Sequence, residues 1–273
     1  MLLAIDVGNT QTVVGLYDGE LLTDHWRVAS VRTQTADELA VELHGLLSVR
    51  GRGFGDVTAT VASSGVPQLA EALRQTARTH FGHDALVVGQ PGVETGLELR
   101  VPNPPEVGAD RIANSVAALA LQPGPLVVVD FGTAINFDAV SADGAFLGGA
   151  IAPGLEIATS ALGERAAALF GIALRAPERA IGRTTAENMQ SGAIFGYAGL
   201  VDGLVGRFRT ELGGDTGVIA TGGLAAVVAP HCQTIDRVEP WLTLEGLRLI
   251  WLRNTPLRPG SAVRGDRPGR DRS

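Results

Sequence analysis

LAIDVGNTQTVVGLYDGEL, from Leu3 to Leu21, and VVVDFGTAINFDAVSADGAFL, from Val127 to Leu147, decide the fold. Each opens with an apolar, strand-like run that ends on Asp-x-Gly. A polar turn follows, then a second strand-like run and an Asp-Gly pair of the kind that closes a β-hairpin. From carboxylate to hairpin turn is 12 residues in the first copy (Asp6 to Asp18) and 13 in the second (Asp130 to Asp143). The carboxylates stand 124 residues apart (130 − 6), so the pattern predicts an internal duplication, with two related lobes facing a cleft.

Outward from these copies, short β-rich runs alternate with helical patterns, which predicts an α/β protein. Strands are expected over 2–7, 12–17, 58–62, 85–88, 126–130 and 217–220. A helix starts at Thr35, where Thr35 and Glu38 have capping-box spacing and Leu39, Leu43, Leu46 and Leu47 form the apolar face. Further helices are expected over 67–81, 111–121, from 154 towards 170, over 185–212 and over 243–253. The long helix carries Gly192, Gly196, Gly199, Gly203 and Gly206 at three- and four-residue steps. Such a stripe admits a second helix at close range, within the subunit or across a dimer seam. The division expected is one lobe over 1–115, a second over 116–254, and a disordered Arg/Pro/Gly-rich tail over 255–273.

A strand ending in Asp-x-Gly-x-Thr puts a carboxylate beside a turn of exposed N–H groups, which with the hydroxyls of Thr10 and Thr12 can hold phosphate oxygens. Asp6 stands close enough to hold magnesium or its water shell. Asp130-Phe131-Gly132-Thr133 offers the same parts from the opposite lobe, so the pair makes a clamp for a nucleoside triphosphate. Thr221-Gly222-Gly223 lets a planar base or ribose approach bare backbone. Gly108-Ala109-Asp110-Arg111 closes a proline-rich loop. Its acidic residue suits either a helix N-terminus or a general base, and its guanidinium suits a substrate carboxylate; nothing local decides between them.

Composition removes other classes. The chain has 273 residues, is 45% hydrophobic and 19% charged, and has a mean hydropathy of +0.18, which excludes an intrinsically disordered protein. A net charge of −7 argues against a nucleic-acid surface. All 22 basic residues are arginine, so lysine-bearing P-loops, the protein-kinase strand lysine and lysine Schiff bases are excluded. A single cysteine, Cys232, fits a reducing compartment, and the five histidines show no metal-ligand spacing. The N-terminus lacks a basic stretch before its apolar run, and no run approaches the roughly 20 residues of a membrane span, so the reading is soluble and cytoplasmic.

The motifs "DVGNTQT" at Asp6, "PPEVGADR" ending at Arg111, "DFGTA" at Asp130, "GGAIAPGL" at Gly148, "TTAENMQSG" at Thr184, "TGG" at Thr221 and "LTLEGLRLI" at Leu242 together resemble the type III pantothenate kinases. They follow that family's order across residues 1 to about 254. The resemblance implies duplicated ribonuclease-H-like lobes, as in the actin-like ATPases and the acetate and sugar kinases, around a nucleotide cleft. It implies ATP-dependent phosphorylation of the 4′-hydroxyl of pantothenate, the first step of coenzyme A synthesis, by a homodimer using magnesium–ATP and potassium or ammonium. By position, Asp6, Val7, Gly8, Asn9, Thr10, Gln11, Thr12 and Val13 resemble the first ATP loop, and Thr133 resembles a further ATP contact. Asp110 resembles the general base, Gly108, Ala109, Asp110 and Arg111 the pantothenate contacts, Thr185 another substrate contact, and Asp130 the monovalent-cation ligand.

Two positions depart from the family pattern: Asn136 stands where a threonine is usual, and Val101 where many members carry an aromatic residue. Two further readings remain at this point. A sugar kinase of the same superfamily shares the phosphate turns but not the Gly-Ala-Asp-Arg loop. A regulatory protein is the non-enzymatic alternative, disfavoured by intact Asp110, Thr133 and both turn carboxylates.

Overall fold

A computed structural model describes residues 1–165, 172–213 and 215–255. The first copy folds as β1 (Leu2–Val7), β2 (Gln11–Asp18) and β3 (Leu21–Ala29), then α1 (Ala36–Val49), β4 (Ala59–Ser64), α2 (Pro67–Thr76) and β5 (Ala85–Val87). After α3 (Ala109–Leu121), the second copy gives β6 (Leu126–Phe131), β7 (Ala134–Val140), β8 (Phe146–Pro153), α4 (Leu155–Arg165), α5 (Thr185–Leu212) and β9 (Gly217–Thr221). Next come α6 (Ala225–Val228), β10 (Arg237–Val238) and α7 (Leu242–Asn254). The expected tail beyond Thr255, and the expected extension of α4 to residue 170, lie outside the described residues.

The sheets have the same topology. Their orders are β3-β2-β1-β4-β5 and β8-β7-β6-β9-β10, each with an antiparallel hairpin pair on one side of the central strand and parallel strands on the other. β1 and β6 share one burial pattern, in which only the carboxylate at the fifth position is partly exposed. Asp6 pairs across to Val13 and Ser63, and Asp130 to Asn136 and Thr221. Matching register, burial and topology are what duplication requires.

Alternation along the central strands sorts the core into layers. Leu3, Ile5 and Val7 pack with Leu39, Leu43 and Leu47 of α1 and Leu69 and Leu73 of α2. Leu2 and Ala4 face the other way, onto Ile112 of α3 and Leu244, Leu247 and Ile250 of α7. In the second sheet Val127, Val129 and Phe131 pack on Ile194, Ala198, Val201 and Val205 of α5. Leu126 and Val128 pack with Ala117 and Ala118 of α3 and Leu242 of α7. Helices α3 and α7 therefore lie between the sheets, and both carboxylates, at even positions, point to that side. Burying one such leucine or isoleucine contributes roughly 1.5–3 kcal/mol.

Some boundaries differ from expectation. α3 begins two residues earlier than expected, so Asp110 lies in its first turn rather than in the preceding loop. The α-helical part of α2 ends at Thr76, whose hydroxyl donates to the carbonyls of Ala72 and Ala36, and 77–81 form a wider turn closed by Gly82 at φ +75°. The expected lobe boundary at 115/116 falls inside α3, and α7 packs on the first sheet despite its late position in the chain. α7 crosses α3 at Gly246, where a Cβ would stand 1.9 Å from the carbonyl oxygen of Ala113.

Candidate active site

The two Asp-x-Gly turns meet. Gly8 N–H closes the first onto the carbonyl of Gln11, at 3.1 Å, and Gly132 N–H closes the second onto that of Ala134, at 3.0 Å. Thr133 Oγ1 donates to Thr10 Oγ1 at 3.0 Å across the gap between them. A pocket of about 80 Å³ has a lining that includes Asp6, Gln11, Arg27, Asp130, Thr221 and Thr243. The two carboxylates expected to face each other thus line one cleft.

Each is held by a neighbour. Ser63 Oγ donates to Asp6 Oδ1 at 2.6 Å, and Asn114 Nδ2 donates to Asp130 Oδ2 at 3.2 Å. Thr243 Oγ1 in turn donates to Asn114 Oδ1 at 2.7 Å, which ties the start of α7 to the second sheet through α3. Burial, and then the nearby charge of Asp110, push Asp6 up to about 7 against the opposing bond from Ser63. Burial, Asp110 and Asp138 push Asp130 up to about 7 as well. Two desolvated carboxylates with incompletely compensated charge form a site that favours a cation. Gly222, at φ +95°, packs so closely that a Cβ would stand 2.5 Å from Asp130 Oδ1.

Asp110 is half-buried, and among the described residues its side chain caps nothing: Gly108 occupies the N-cap without a side-chain bond. A Cβ at Gly108 would stand 2.4 Å from Asp110 Oδ1, so the carboxylate folds back over that glycine. Its charge is felt at Asp6, Asp130 and Asp138 alike.

Arg111 is less free than its sequence suggests. Its Nε donates to Oδ1 of fully buried Asp138 at 2.7 Å, Nη2 stands 2.6 Å from the same oxygen as an ion pair, and its guanidinium carbon lies 5.3 Å from the centre of the Phe146 ring. Among the described residues only the Nε donor is committed to a hydrogen bond, which leaves the terminal N–H groups for a ligand. Asp138 Oδ2 is buried with no hydrogen-bond partner among the described residues.

Other expected site residues are placed differently. Thr12 is buried on the α1 side of the sheet and its hydroxyl pairs with Ser30 Oγ at 2.8 Å, so only its backbone borders the turn. Val7 and Val13 bracket the turn in β1 and β2, with Val13 lining the cleft, and Asn9 accepts a bond from Arg32 at 3.1 Å. Thr185 does not reach this cleft; it lines a separate groove of about 450 Å³ with Leu162, Asn188, Met189, Gly192 and Tyr197. Asn136 lies beside Asp130 in the ladder, and Val101 borders Gly148. Sequence reasoning missed Arg27, Ser63, Asn114, Asp138 and Thr243. The glycine stripe of α5 is exposed, and among the described residues no atom outside its own helix lies near enough to meet a Cβ at any of its five positions.

Among the described residues, no three His, Cys, Asp or Glu side chains converge as a metal site, and no helix is long and apolar enough to cross a membrane.

A family model described as type III pantothenate kinase matches residues 2–207. The type III pantothenate kinase of Moorella thermoacetica is 51% identical over 255 residues, covering 93% of this chain and all of that one. Among solved structures, a Campylobacter jejuni chain described as a candidate Baf family transcriptional activator has a TM-score of 0.59 and 18% identity, covering 92% of this chain and 98% of that one. Component A of (R)-2-hydroxyglutaryl-CoA dehydratase from Acidaminococcus fermentans has a TM-score of 0.51 and 17% identity, covering 90% and 94%. At such identities the structural likeness shows the fold alone, that of the actin-like kinases and ATPases.

Proposed function

The chain belongs to the type III pantothenate kinase family, and from that premise we propose how its cleft works. It is a pantothenate kinase: it transfers the γ-phosphoryl group of ATP to the 4′-hydroxyl of pantothenate at the entry to coenzyme A synthesis. The observation that carries the residue assignment is the shared pocket of Asp6 and Asp130, with Asp110 close enough to raise both.

The turn from Asp6 to Val13 and Thr133 hold the triphosphate, chiefly through N–H groups and the hydroxyls of Thr10 and Thr133. Among the described residues the amides of Asn9, Thr10 and Thr133 have no backbone acceptor, which supports this role. The Thr10–Thr133 contact must part to admit the phosphates. Asp6 and Asp130 suit cations, Asp6 the magnesium of magnesium–ATP and Asp130 potassium or ammonium. Magnesium bound through one or two carboxylates and substrate phosphates needs no cage of protein ligands. These cations would supply neutralisation of charge on the transferring group.

Asp110 takes the proton of the 4′-hydroxyl as that oxygen bonds to the γ-phosphorus and the bond to the β,γ-bridging oxygen breaks, leaving ADP. Gly108, Ala109 and the free donors of Arg111 orient pantothenate. Thr185 stays outside this cleft in a single chain, so a substrate contact from it needs the homodimer that the exposed glycine stripe of α5 supports. Cys232, its thiol pushed up to about 12 chiefly by burial, supports a reduced, cytoplasmic protein without thiol chemistry.

The test is an ADP-release assay on the full chain with ATP and pantothenate in potassium, ammonium or sodium, with 4′-phosphopantothenate identified by mass. Activity that depends on pantothenate and rises with potassium or ammonium is expected. No pantothenate-dependent ADP refutes the reaction, and equal activity in sodium alone refutes the role given to Asp130.

A further inference from the structure

A lysine-free chain must meet a triphosphate's charge with metal, backbone and arginine. The register of the first sheet decides which arginine stands in the cleft. Across β3, β2, β1 and β4 the aligned residues are Arg27, Val13, Asp6 and Ser63, and directly paired residues project from the same face. A register shift between Leu16 and Tyr17 creates this row: the pairing Tyr17↔Leu22 would carry Trp26 to Val13, but the bulge brings Arg27 there. The corresponding row in the second sheet is Ile151, Asn136, Asp130 and Thr221, so only the first lobe supplies a cation.

Among the described residues, Arg27 is the one basic residue lining the pocket. Nη1 donates to Gln11 Oε1 at 3.0 Å, and a Cβ on Gly223 would stand 3.4 Å from the same nitrogen. The guanidinium thus spans from the first phosphate turn to the Thr221-Gly222-Gly223 turn. Among the described residues it is in no ion pair, although its charge is felt at both Asp6 and Asp130. A neutral amide holds it in position, and its remaining donors are open to an anion.

We propose that Arg27 is a phosphate-binding and catalytic residue, its guanidinium contacting the triphosphate and stabilising negative charge on the transferring phosphoryl group. This rests on the kinase reading of the cleft and adds a contact that the Asp-x-Gly turns do not provide. Oriented cationic donors act most strongly where charge develops in the transition state.

The test compares wild type, Arg27→Lys and Arg27→Gln in two arms. In the first, binding of magnesium–ATP and of adenosine is measured by calorimetry without pantothenate, alongside melting temperature. In the second, kcat and KM for ATP are measured with pantothenate. Gln can still bond to Gln11 but has no charge; Lys keeps the charge as a compact ammonium. Arg27→Gln is expected to lose about 10²–10³-fold in kcat/KM for ATP. It should bind magnesium–ATP at least tenfold more weakly, with adenosine binding and melting temperature little changed, and Arg27→Lys should recover part of both losses. Magnesium–ATP binding and turnover by Arg27→Gln within threefold of wild type would overturn the proposal. So would equal behaviour of the Lys and Gln variants, since charge would then be irrelevant. A wild type that binds ATP but ignores pantothenate would instead refute the substrate reading and leave the binding arm intact.

Discussion

Replacing Asp110 by Asn separates the two roles that its position allows. As the second residue of α3, the carboxylate stabilises the helix dipole by about 0.3–1 kcal/mol, and it caps nothing through a side-chain bond. Against that small loss, the substitution removes a negative charge that raises both Asp6 and Asp130, which relieves repulsion inside the cleft. The two effects oppose, so folding stability should change by no more than about 1 kcal/mol. Catalysis should change far more, because a positioned base contributes roughly 10²–10⁴-fold, or about 3–5 kcal/mol of barrier. We expect kcat at saturating ATP and pantothenate to fall by that factor in a coupled ADP assay, while the melting temperature holds within a few degrees. Magnesium–ATP binding should not weaken. A variant that turns over within tenfold of wild type would refute the assignment of Asp110 as base. A variant losing activity only in step with its melting temperature would show a helix-end residue.

Ser63→Ala removes the donor that favours ionised Asp6. Its pKa should climb further above about 7, and the acid limb of the pH–rate profile should move to higher pH, with activity recovered near pH 9; an unmoved limb would refute the role of that bond. Asp138→Asn keeps the shape beside Arg111 but removes the charge, so KM for pantothenate should rise about tenfold with a smaller change in kcat; a fall in kcat alone would argue that Arg111 acts in the chemical step. Gly246→Ala drives a methyl group into the Ala113 carbonyl and should cost about 1–3 kcal/mol, several degrees in melting temperature; an unchanged melting curve would contradict the tight crossing.

The repeated Asp-x-Gly hairpins are legible in sequence because apolar runs, turn glycines and carboxylates recur in the same local order. The capping box at Thr35 is legible for the same reason: Glu38 accepts from the Thr35 N–H at 2.8 Å, three residues away. β3 was harder to read. It is an edge strand whose residues are all partly or fully exposed, so Leu21–Ala29 lacks clean alternation. Arg27 is hidden further by the bulge, since counting pairs outward from the Asp18-Gly19 turn assigns its place to Trp26. Asn114, Asp138 and Thr243 act through partners 16, 27 and 129 residues away, separations that no local motif spans. Thr12 looks like a phosphate hydroxyl in the string, but the period of the strand turns it towards Ser30.

The late position of α7 bears on how the chain is made. One face of the first sheet, with Leu2, Ala4, Tyr17 and Val61, is covered by Leu244, Leu247 and Ile250. During synthesis the N-terminal half can form its hairpins and seat α1 and α2, but that face, covered in part by Ile112 and Ala113 of α3, stays incompletely covered until the helix ending at Asn254 emerges. The lobes therefore cannot mature one after the other, and final collapse waits for nearly all of the second repeat. A nascent chain stalled before Leu242 would present an apolar sheet face to solvent, a natural target for chaperones and proteases. The close crossing of α7 on α3 at Gly246 is therefore among the last contacts to form, and α3, with Asp110 in its first turn, gains its full packing only then.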